Sequence, residues 1–69
     1  MERTPVTSSN IASVGYDTDS QTLEIEFNNG TIYQYFDVSE QVFNELKGAG
    51  SVGGYLAANI KGIYRYSRV

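Results

Sequence analysis

The fold of this chain is decided between residues 22 and 36, which read Thr22-Leu-Glu-Ile-Glu-Phe-Asn-Asn-Gly-Thr-Ile-Tyr-Gln-Tyr-Phe36. Apolar and polar residues alternate on both sides of Asn29-Gly30, and Asn-Gly between two such runs is the strongest local signal for a β-hairpin. An isolated hairpin is only marginally stable in water. The rest of the chain is therefore expected to cover one face of this hairpin.

Two registers of the hairpin are compatible with the sequence. In a two-residue type I′ turn, Phe27 lies opposite Ile32, and Tyr33 and Tyr35 lie on the polar face with the glutamates. In a three-residue loop formed by Asn28-Asn29-Gly30 with a glycine bulge, the partners shift by one and both tyrosines join the apolar face. Because side chains alternate strictly along a strand, one register excludes the other. The two-residue turn separates polar from apolar residues more cleanly and is the favoured prediction.

The flanking sequence predicts further strands and two helices. Residues 11–16 are predicted to form a first strand, weakened by Gly15. Residues 63–69 alternate like a last strand, expected at the edge of the sheet beside the first. Ser39 and Ser51 each precede a helical pattern and are suitable N-caps, and Gly48 is the expected left-handed end of the first helix. The predicted fold is α+β: a three-stranded antiparallel β-meander, two short helices packed on one face, and a C-terminal edge strand.

Length and composition limit the possible functions. The 69 residues fit a single domain over positions 1–69, with residues 1–9 expected to be loosely ordered. The chain has no cysteine and no histidine, which removes disulfides, the usual zinc ligands, the cysteine nucleophile and the commonest general base. No apolar run approaches the roughly 20 residues that span a membrane, so a cytoplasmic location is expected.

Three short motifs resemble functional signatures but lack the context that those signatures need. Gly48-Ala-Gly50-Ser-Val-Gly53 matches a dinucleotide-binding pattern, yet a predicted helix precedes it and no acidic residue follows. Asp17-Thr-Asp19 lacks the other ligands of a calcium loop and is typical of a turn. Glu24 and Glu26 share a strand face that is predicted to be solvated. No catalytic residues, metal site or cofactor are predicted, and the protein is not expected to be an enzyme.

Charge is distributed unevenly along the chain. All eight acidic residues lie at or before Glu45, where Arg3 is the single basic residue, and every later charge is positive. This division indicates either a basic binding patch or an attraction between the two halves of the fold. Tyr33-Gln34-Tyr35 and Tyr64-Arg65-Tyr66 each place two tyrosines on one face of a strand. Such rings either stack nucleobases or belong to the core.

The sequence as a whole resembles the KTSC domain family, a module found at the C-terminus of some lysyl-tRNA synthetases and as free-standing small bacterial and phage proteins. The resemblance spans residues 6–69 and rests on the order and spacing of Val6, Ser8-Ser9-Asn10-Ile11, Val14-Gly15-Tyr16-Asp17, Leu23, Ile25, Phe27, Asn29-Gly30, Tyr33, Tyr35, Val38, Ser51, Gly53, Tyr55 and Ile60. It implies RNA binding, with the two strand tyrosines, Tyr33 and Tyr35, as the family residues concerned.

The leading functional hypothesis is a non-catalytic binding module for RNA or single-stranded nucleic acid. Tyr33 and Tyr35 would stack bases, while Lys61, Arg65 and Arg68 would contact phosphates. The competing hypothesis is a module that binds a protein partner or itself through its edge strand or its tyrosine face. Neither hypothesis involves a membrane or a small-molecule substrate.

Overall fold

A computed structural model describes residues 1–69 as a single antiparallel sheet with two helices on one face. The elements in chain order are β1 (Arg3–Pro5), β2 (Ile11–Asp17), β3 (Thr22–Phe27), β4 (Ile32–Tyr35), α1 (Glu40–Gly48), α2 (Val52–Asn59) and β5 (Tyr66–Arg68). The sheet has five strands in the order β1-β2-β3-β4-β5. The α+β class is confirmed, but the three-stranded meander is too small because the sheet continues on both sides of it.

The favoured register of the central hairpin is wrong, and the three-residue loop is present instead. Ile25 pairs with Tyr33, and Leu23 pairs with Tyr35. The N–H of Phe27 donates to the Thr31 carbonyl at 2.8 Å, and Gly30 between them adopts φ +88°. A Gly in the left-handed region at this position is the signature of the bulged three-residue turn. Both tyrosines therefore lie on the apolar face of the sheet.

The apolar face of the sheet is covered by both helices. The ten residues of the core, all nearly inaccessible to solvent, are Ile11, Val14, Leu23, Ile25, Tyr35, Val38, Leu46, Val52, Leu56 and Ile60. Burial of this set supplies the main driving force for folding, at about 1.5–3 kcal/mol for each large aliphatic side chain. Neither helix has the length and apolar character needed to cross a membrane.

Both predicted helix N-caps are confirmed, whereas the predicted end of α1 is wrong. The Ser39 hydroxyl accepts a hydrogen bond from the N–H of Val42, and the Ser51 hydroxyl accepts one from Gly54. Gly48 is the last helical residue, not a left-handed stop. The cap position is Ala49, which has φ −70° and donates its N–H to the Leu46 carbonyl. An extended Ala49 turns the chain into the next helix without a positive φ.

The first strand lies in the segment that was expected to be loosely ordered. Arg3 is the cross-strand neighbour of Gly15, and Gly15 is in turn the neighbour of Glu24. The Arg3 side chain crosses the strand at Gly15, where no side chain stands in its way, and its guanidinium lies 2.6 Å from the Glu24 carboxylate. Gly15 thus makes room for the ion pair that ties β1 to β3.

The last strand pairs with β4, not with the first strand as predicted. Tyr35 lies opposite Tyr66, and Tyr33 lies opposite Arg68. The Tyr66 ring packs against both tyrosines of β4, at 5.7 Å from the Tyr33 ring centroid and 5.9 Å from that of Tyr35. The edge of β2 where the last strand was expected is occupied by β1. The contacts of Tyr66 with the two tyrosines of β4 favour the observed pairing.

Candidate nucleic-acid interface

Tyr35 is a core residue in this fold. Its side chain is 2% exposed, since the observed hairpin register turns it towards the helices. Burial raises the pKa of its hydroxyl, and the neighbouring hydroxyls of Tyr33 and Tyr66 raise it further. In this conformation Tyr35 has no free ring face on which a base could stack.

Tyr33 is the one tyrosine of β4 that solvent still reaches. It is half-buried, because it lies at the end of β4 that is nearer to the hairpin loop. Its ring meets Phe27 edge to face, with 5.7 Å between the ring centroids, and packs against Tyr66 on its other side. Tyr33 is thus fixed between two aromatic side chains and keeps part of its surface accessible.

An open depression of about 470 Å³ lies beside Tyr33 at the hairpin-loop end of the sheet. It is lined by two aromatic rings, one lysine and a set of small polar side chains: Phe27, Tyr33, Lys61, Ser9, Asn10, Asn28, Asn29 and Thr31. Lys61 is exposed and makes no ion pair. The structure therefore brings together one of the predicted stacking residues and one of the predicted phosphate-binding residues.

Two hydrogen-bonded segments build the wall of the depression. Asn28 donates its side-chain N–H to the Ser9 carbonyl at 2.9 Å, and its backbone N–H donates to the Asn10 carbonyl at 2.8 Å. Within the loop, the Asn29 side-chain oxygen accepts the N–H of Thr31 at 3.0 Å. These bonds fix the position of the loop and leave each bonded amide side chain a second polar atom with which to contact a ligand.

The other two predicted phosphate-binding residues differ in their surroundings. Arg68 is exposed, makes no ion pair, and lies directly across the strands from Tyr33. Arg65 is exposed but donates to the Asp37 carboxylate at 2.9 Å. Its guanidinium also lies over the Phe36 ring, 5.9 Å from the centroid. Arg65 is therefore partly neutralised and does not line the depression.

The opposite face of the sheet carries an ion-pair network that the sequence did not indicate. Glu24 was predicted to be solvated, but it is only 8% exposed and accepts hydrogen bonds from Arg3 and from the Gln34 side chain. Burial alone would raise the pKa of Glu24, yet these two hydrogen bonds and the Arg3 charge lower it. Glu24 therefore stays ionised and serves the architecture of the sheet.

Sequence reasoning missed the asparagines that line the depression. The sequence predicts Asn28 and Asn29 as residues of the hairpin turn, where they do lie, and predicts no local contact for Asn10. The available signal was the pair of adjacent polar segments, Ser9-Asn10 and Asn28-Asn29, each followed by a strand. These segments lie far apart in the sequence, and the backbone hydrogen bond from Asn28 to Asn10 that joins them is a tertiary contact with no local pattern.

The family model for the KTSC domain matches residues 7–66 of this chain. The chain belongs to the KTSC domain family. The fold agrees: the crystal structure of a KTSC domain protein from Yersinia pestis superposes with a TM-score of 0.96 at 38% sequence identity, covering 99% of this chain and 96% of that one. The resemblance inferred from the order and spacing of the sequence motifs is thereby confirmed.

KTSC relatives include both a small protein and part of a much larger one. An uncharacterized protein of Stutzerimonas stutzeri is 39% identical over 70 residues, which cover 100% of this chain and 99% of that protein. A lysine–tRNA ligase of a Nostoc species is 41% identical over 59 residues, which are 86% of this chain and 10% of the ligase. The KTSC domain is thus similar to a free-standing small protein and to about a tenth of a tRNA ligase.

Proposed function

We propose that this KTSC domain is a non-catalytic binding module for single-stranded nucleic acid, with RNA as its ligand. The observation that carries the proposal is the depression that places the half-buried Tyr33 ring beside the unpaired ammonium group of Lys61. A base stacked on an aromatic side chain contributes about 1–3 kcal/mol. A lysine within reach of the same nucleotide supplies the phosphate contact that such sites require.

The polar lining of the depression suits an unpaired base. Asn28 and Asn29 present amide groups that accept and donate hydrogen bonds, which is how proteins contact the exposed edges of splayed bases. Arg68, across the strands from Tyr33, is placed to meet the backbone on the other side of the ring. The proposed contacts are therefore Tyr33, Lys61 and Arg68. Tyr35 is buried in the core and is not a proposed contact. Arg65 is not one either, because it is paired with Asp37.

Two further observations are consistent with this proposal. The net charge is −3, so general electrostatic attraction to RNA is weak and binding must depend on the local basic groups around the depression. The similarity to a segment of a lysine–tRNA ligase places a related domain in a protein that works on tRNA. A role in the cytoplasm, where tRNA is aminoacylated, follows from the same proposal.

Fluorescence anisotropy with a short labelled single-stranded RNA, measured over a range of salt concentrations, tests the proposal. Tyr33→Phe should bind like the parent, since the ring is kept. Tyr33→Leu keeps an apolar side chain in place but should weaken binding about 5- to 150-fold, the equivalent of one stacked base. Lys61→Ala should weaken binding and reduce the slope of log affinity against log salt by about 0.7, the value for one phosphate contact on a single strand.

Lys47→Ala provides the matched control. Lys47 is an exposed lysine on α1 that does not line the depression, so its replacement should leave affinity unchanged. Binding no tighter than millimolar at low salt would refute the proposal. Equal affinity of the parent, Tyr33→Leu and Lys61→Ala would refute it as well.

A further inference from the structure

Strand β5 leaves one edge of the sheet with unused backbone groups. Phe36 donates its N–H to the Arg65 carbonyl, and Val69 donates to the Ile32 carbonyl. In an antiparallel ladder, pairs that exchange hydrogen bonds alternate with pairs that do not. Tyr66 and Arg68 fall on the alternate positions, so their N–H and C=O groups point away from β4 into solvent.

The opposite edge, at β1, is protected in a way that β5 is not. Val6 donates its N–H to the Ala12 carbonyl, which by the same alternation turns the backbone of Arg3 and Pro5 outward. Proline has no N–H, and a proline at an edge position removes the donor that another strand would need. Each outward position of β5, in contrast, offers both a donor and an acceptor.

The β5 edge also has large exposed apolar side chains beside it. Tyr66 is 62% exposed and Val69 is 63% exposed. Ile63, in the turn that leads into β5, is 65% exposed. With Met1, these residues are the most exposed large apolar side chains of the chain, and three of the four lie in or next to a single strand. An edge with free hydrogen-bonding groups and exposed apolar side chains is a template for strand addition.

We propose that β5 pairs antiparallel with β5 of a second copy of this chain, so that two five-stranded sheets join into one across a two-fold axis at Ser67. In that register the outward N–H and C=O of Tyr66 exchange hydrogen bonds with the C=O and N–H of Arg68 in the second copy. By symmetry, Arg68 of the first copy exchanges the same two hydrogen bonds with Tyr66 of the second. Four backbone hydrogen bonds result. An interface in which the same patch meets itself is the usual form of a symmetric dimer.

The side chains of β5 are complementary to themselves in this register. Arg68 lies opposite the Tyr66 ring of the second copy, on the same face of the joined sheet, which is the arrangement of a cation–π pair. Arg65 lies opposite Val69. No two like charges are directly opposed, and Arg65 is already partly neutralised by Asp37. This self-complementarity identifies a second copy, and not an unrelated strand, as the occupant of the edge.

The two-fold axis is perpendicular to the joined sheet, so the helices and the Tyr33 depressions of both copies lie on one face. Three strand spacings of about 4.8 Å separate the two β4 strands, or about 14 Å across the sheet. The two-fold axis turns the hairpin-loop ends of the two copies in opposite directions along the strands, so the two depressions lie farther apart than the two β4 strands. One single strand long enough to cross the joined sheet would engage both of them. The dimer itself does not depend on the proposed nucleic-acid binding, because it rests on the β5 backbone alone.

Analytical ultracentrifugation without nucleic acid, over protein concentrations from micromolar to millimolar, tests the dimer. The parent should pass from monomer to dimer with concentration. Amide hydrogen exchange should slow at Tyr66 and Arg68 as the dimer forms, while the amide of Ser67, already bonded to β4, should be protected throughout. A monomer at millimolar concentration would overturn the proposal.

Two variants at Arg68 separate the backbone from the side chain. Arg68→Ala keeps the outward N–H and removes the cation–π pair, so the dimer should weaken but persist. Arg68→Pro also removes the N–H, which costs each dimer two hydrogen bonds and should raise its dissociation constant about 5- to 150-fold above that of Arg68→Ala. Circular dichroism should show both variants folded, since neither change touches a β4–β5 hydrogen bond. A dimer equally stable in Arg68→Pro and Arg68→Ala would place the interface elsewhere and overturn the proposal.

Discussion

Replacing Gly15 with alanine tests the fit between β1 and β2 most directly. A Cβ at this position would lie 2.6 Å from the backbone oxygen of Glu2 and 2.9 Å from Cγ of Arg3. The Arg3 side chain can move, but the Glu2 oxygen belongs to the backbone and has to retreat to at least 3.4 Å for ordinary contact. β1 must then shift as a whole. Hydrogen bonds between the two strands, such as the 3.1 Å bond from Val6 to Ala12, weaken steeply with such a displacement.

The expected loss is about 1–3 kcal/mol of unfolding free energy, the usual cost of forcing an extra methyl group into a filled site. A gain of about 0.4–1 kcal/mol from the stiffer unfolded chain offsets part of it. For a domain of this size, each kcal/mol of net loss lowers Tm by roughly 4–8 °C. Urea unfolding and thermal denaturation followed by circular dichroism measure both quantities.

The same substitution at Gly48 is the matched control. A Cβ at Gly48 meets nothing within 4 Å, and the residue is helical. Gly48→Ala should therefore leave stability unchanged or raise it by up to about 1 kcal/mol. Gly15→Ala should also release the Arg3–Glu24 ion pair, so that combining it with Arg3→Ala costs less than the sum of the two changes. If Gly15→Ala were as stable as Gly48→Ala, the packing of β1 over Gly15 would be incorrect.

Three other measurements test separate parts of the structure. The pKa of Glu24 is lowered from its ordinary value of 4.5. The stability that its ion pair contributes is therefore fully present above about pH 4.5 and is lost as the pH falls through the folded-state pKa. Glu24→Gln should flatten the acid side of the curve of unfolding free energy against pH, measured by urea unfolding. Gly30→Ala should cost about 1–2 kcal/mol, because φ +88° is strained for a residue with a Cβ; an unchanged urea midpoint would contradict the bulged turn. Ser51→Ala should cost about 0.5–2 kcal/mol through loss of the cap on α2, and Ser51→Asp should recover most of that loss in the same unfolding assay.

Local signals in the sequence predicted the local structure well. The hairpin, the two helices and their serine caps depend on residues within a few positions of one another, so a single sequence is enough to place them. The Asp17 turn is of the same kind: the Asp17 carboxylate accepts the backbone N–H of Asp19 at 3.2 Å. These features required no knowledge of distant contacts.

The hairpin register could not be predicted from the separation of polar and apolar residues, because that separation favours the two-residue turn and the three-residue loop forms instead. Tyrosine is amphipathic, and Tyr35 is a buried member of the core. The two glutamates on the other face are satisfied by Arg3 and Ser13, so that face does not have to be solvated. The observed register therefore depends on Arg3 of β1 and Ser13 of β2, which lie outside the hairpin sequence.

The candidate site was predicted in part, for the same reason. Tyr33 and Lys61 are near each other, although they are far apart in sequence and their proximity depends on the path of α2. Arg65 lies apart because its backbone pairs with Phe36, at the end of β4 away from the hairpin loop. Its ion pair with Asp37 is a contact between distant residues that no periodic pattern predicts. The depression itself forms where the hairpin loop contacts residues 9 and 10. Tertiary contacts of this type cannot be predicted from the local sequence.

The sequential strand order has a consequence for the order of folding. β1, β2, β3 and β4 are joined by short turns, so each can pair with its neighbour after closing only a small loop. β5 is different, since residues 36–65 and both helices intervene before it reaches β4. Contacts that require a long closure tend to form late, and a three-residue strand at an open edge has few contacts of its own to retain it. In the monomer, β5 should thus be the last strand to join the sheet and the first to leave, and native-state hydrogen exchange at low protein concentration should show its amides opening at a lower free energy than those of β2 and β3.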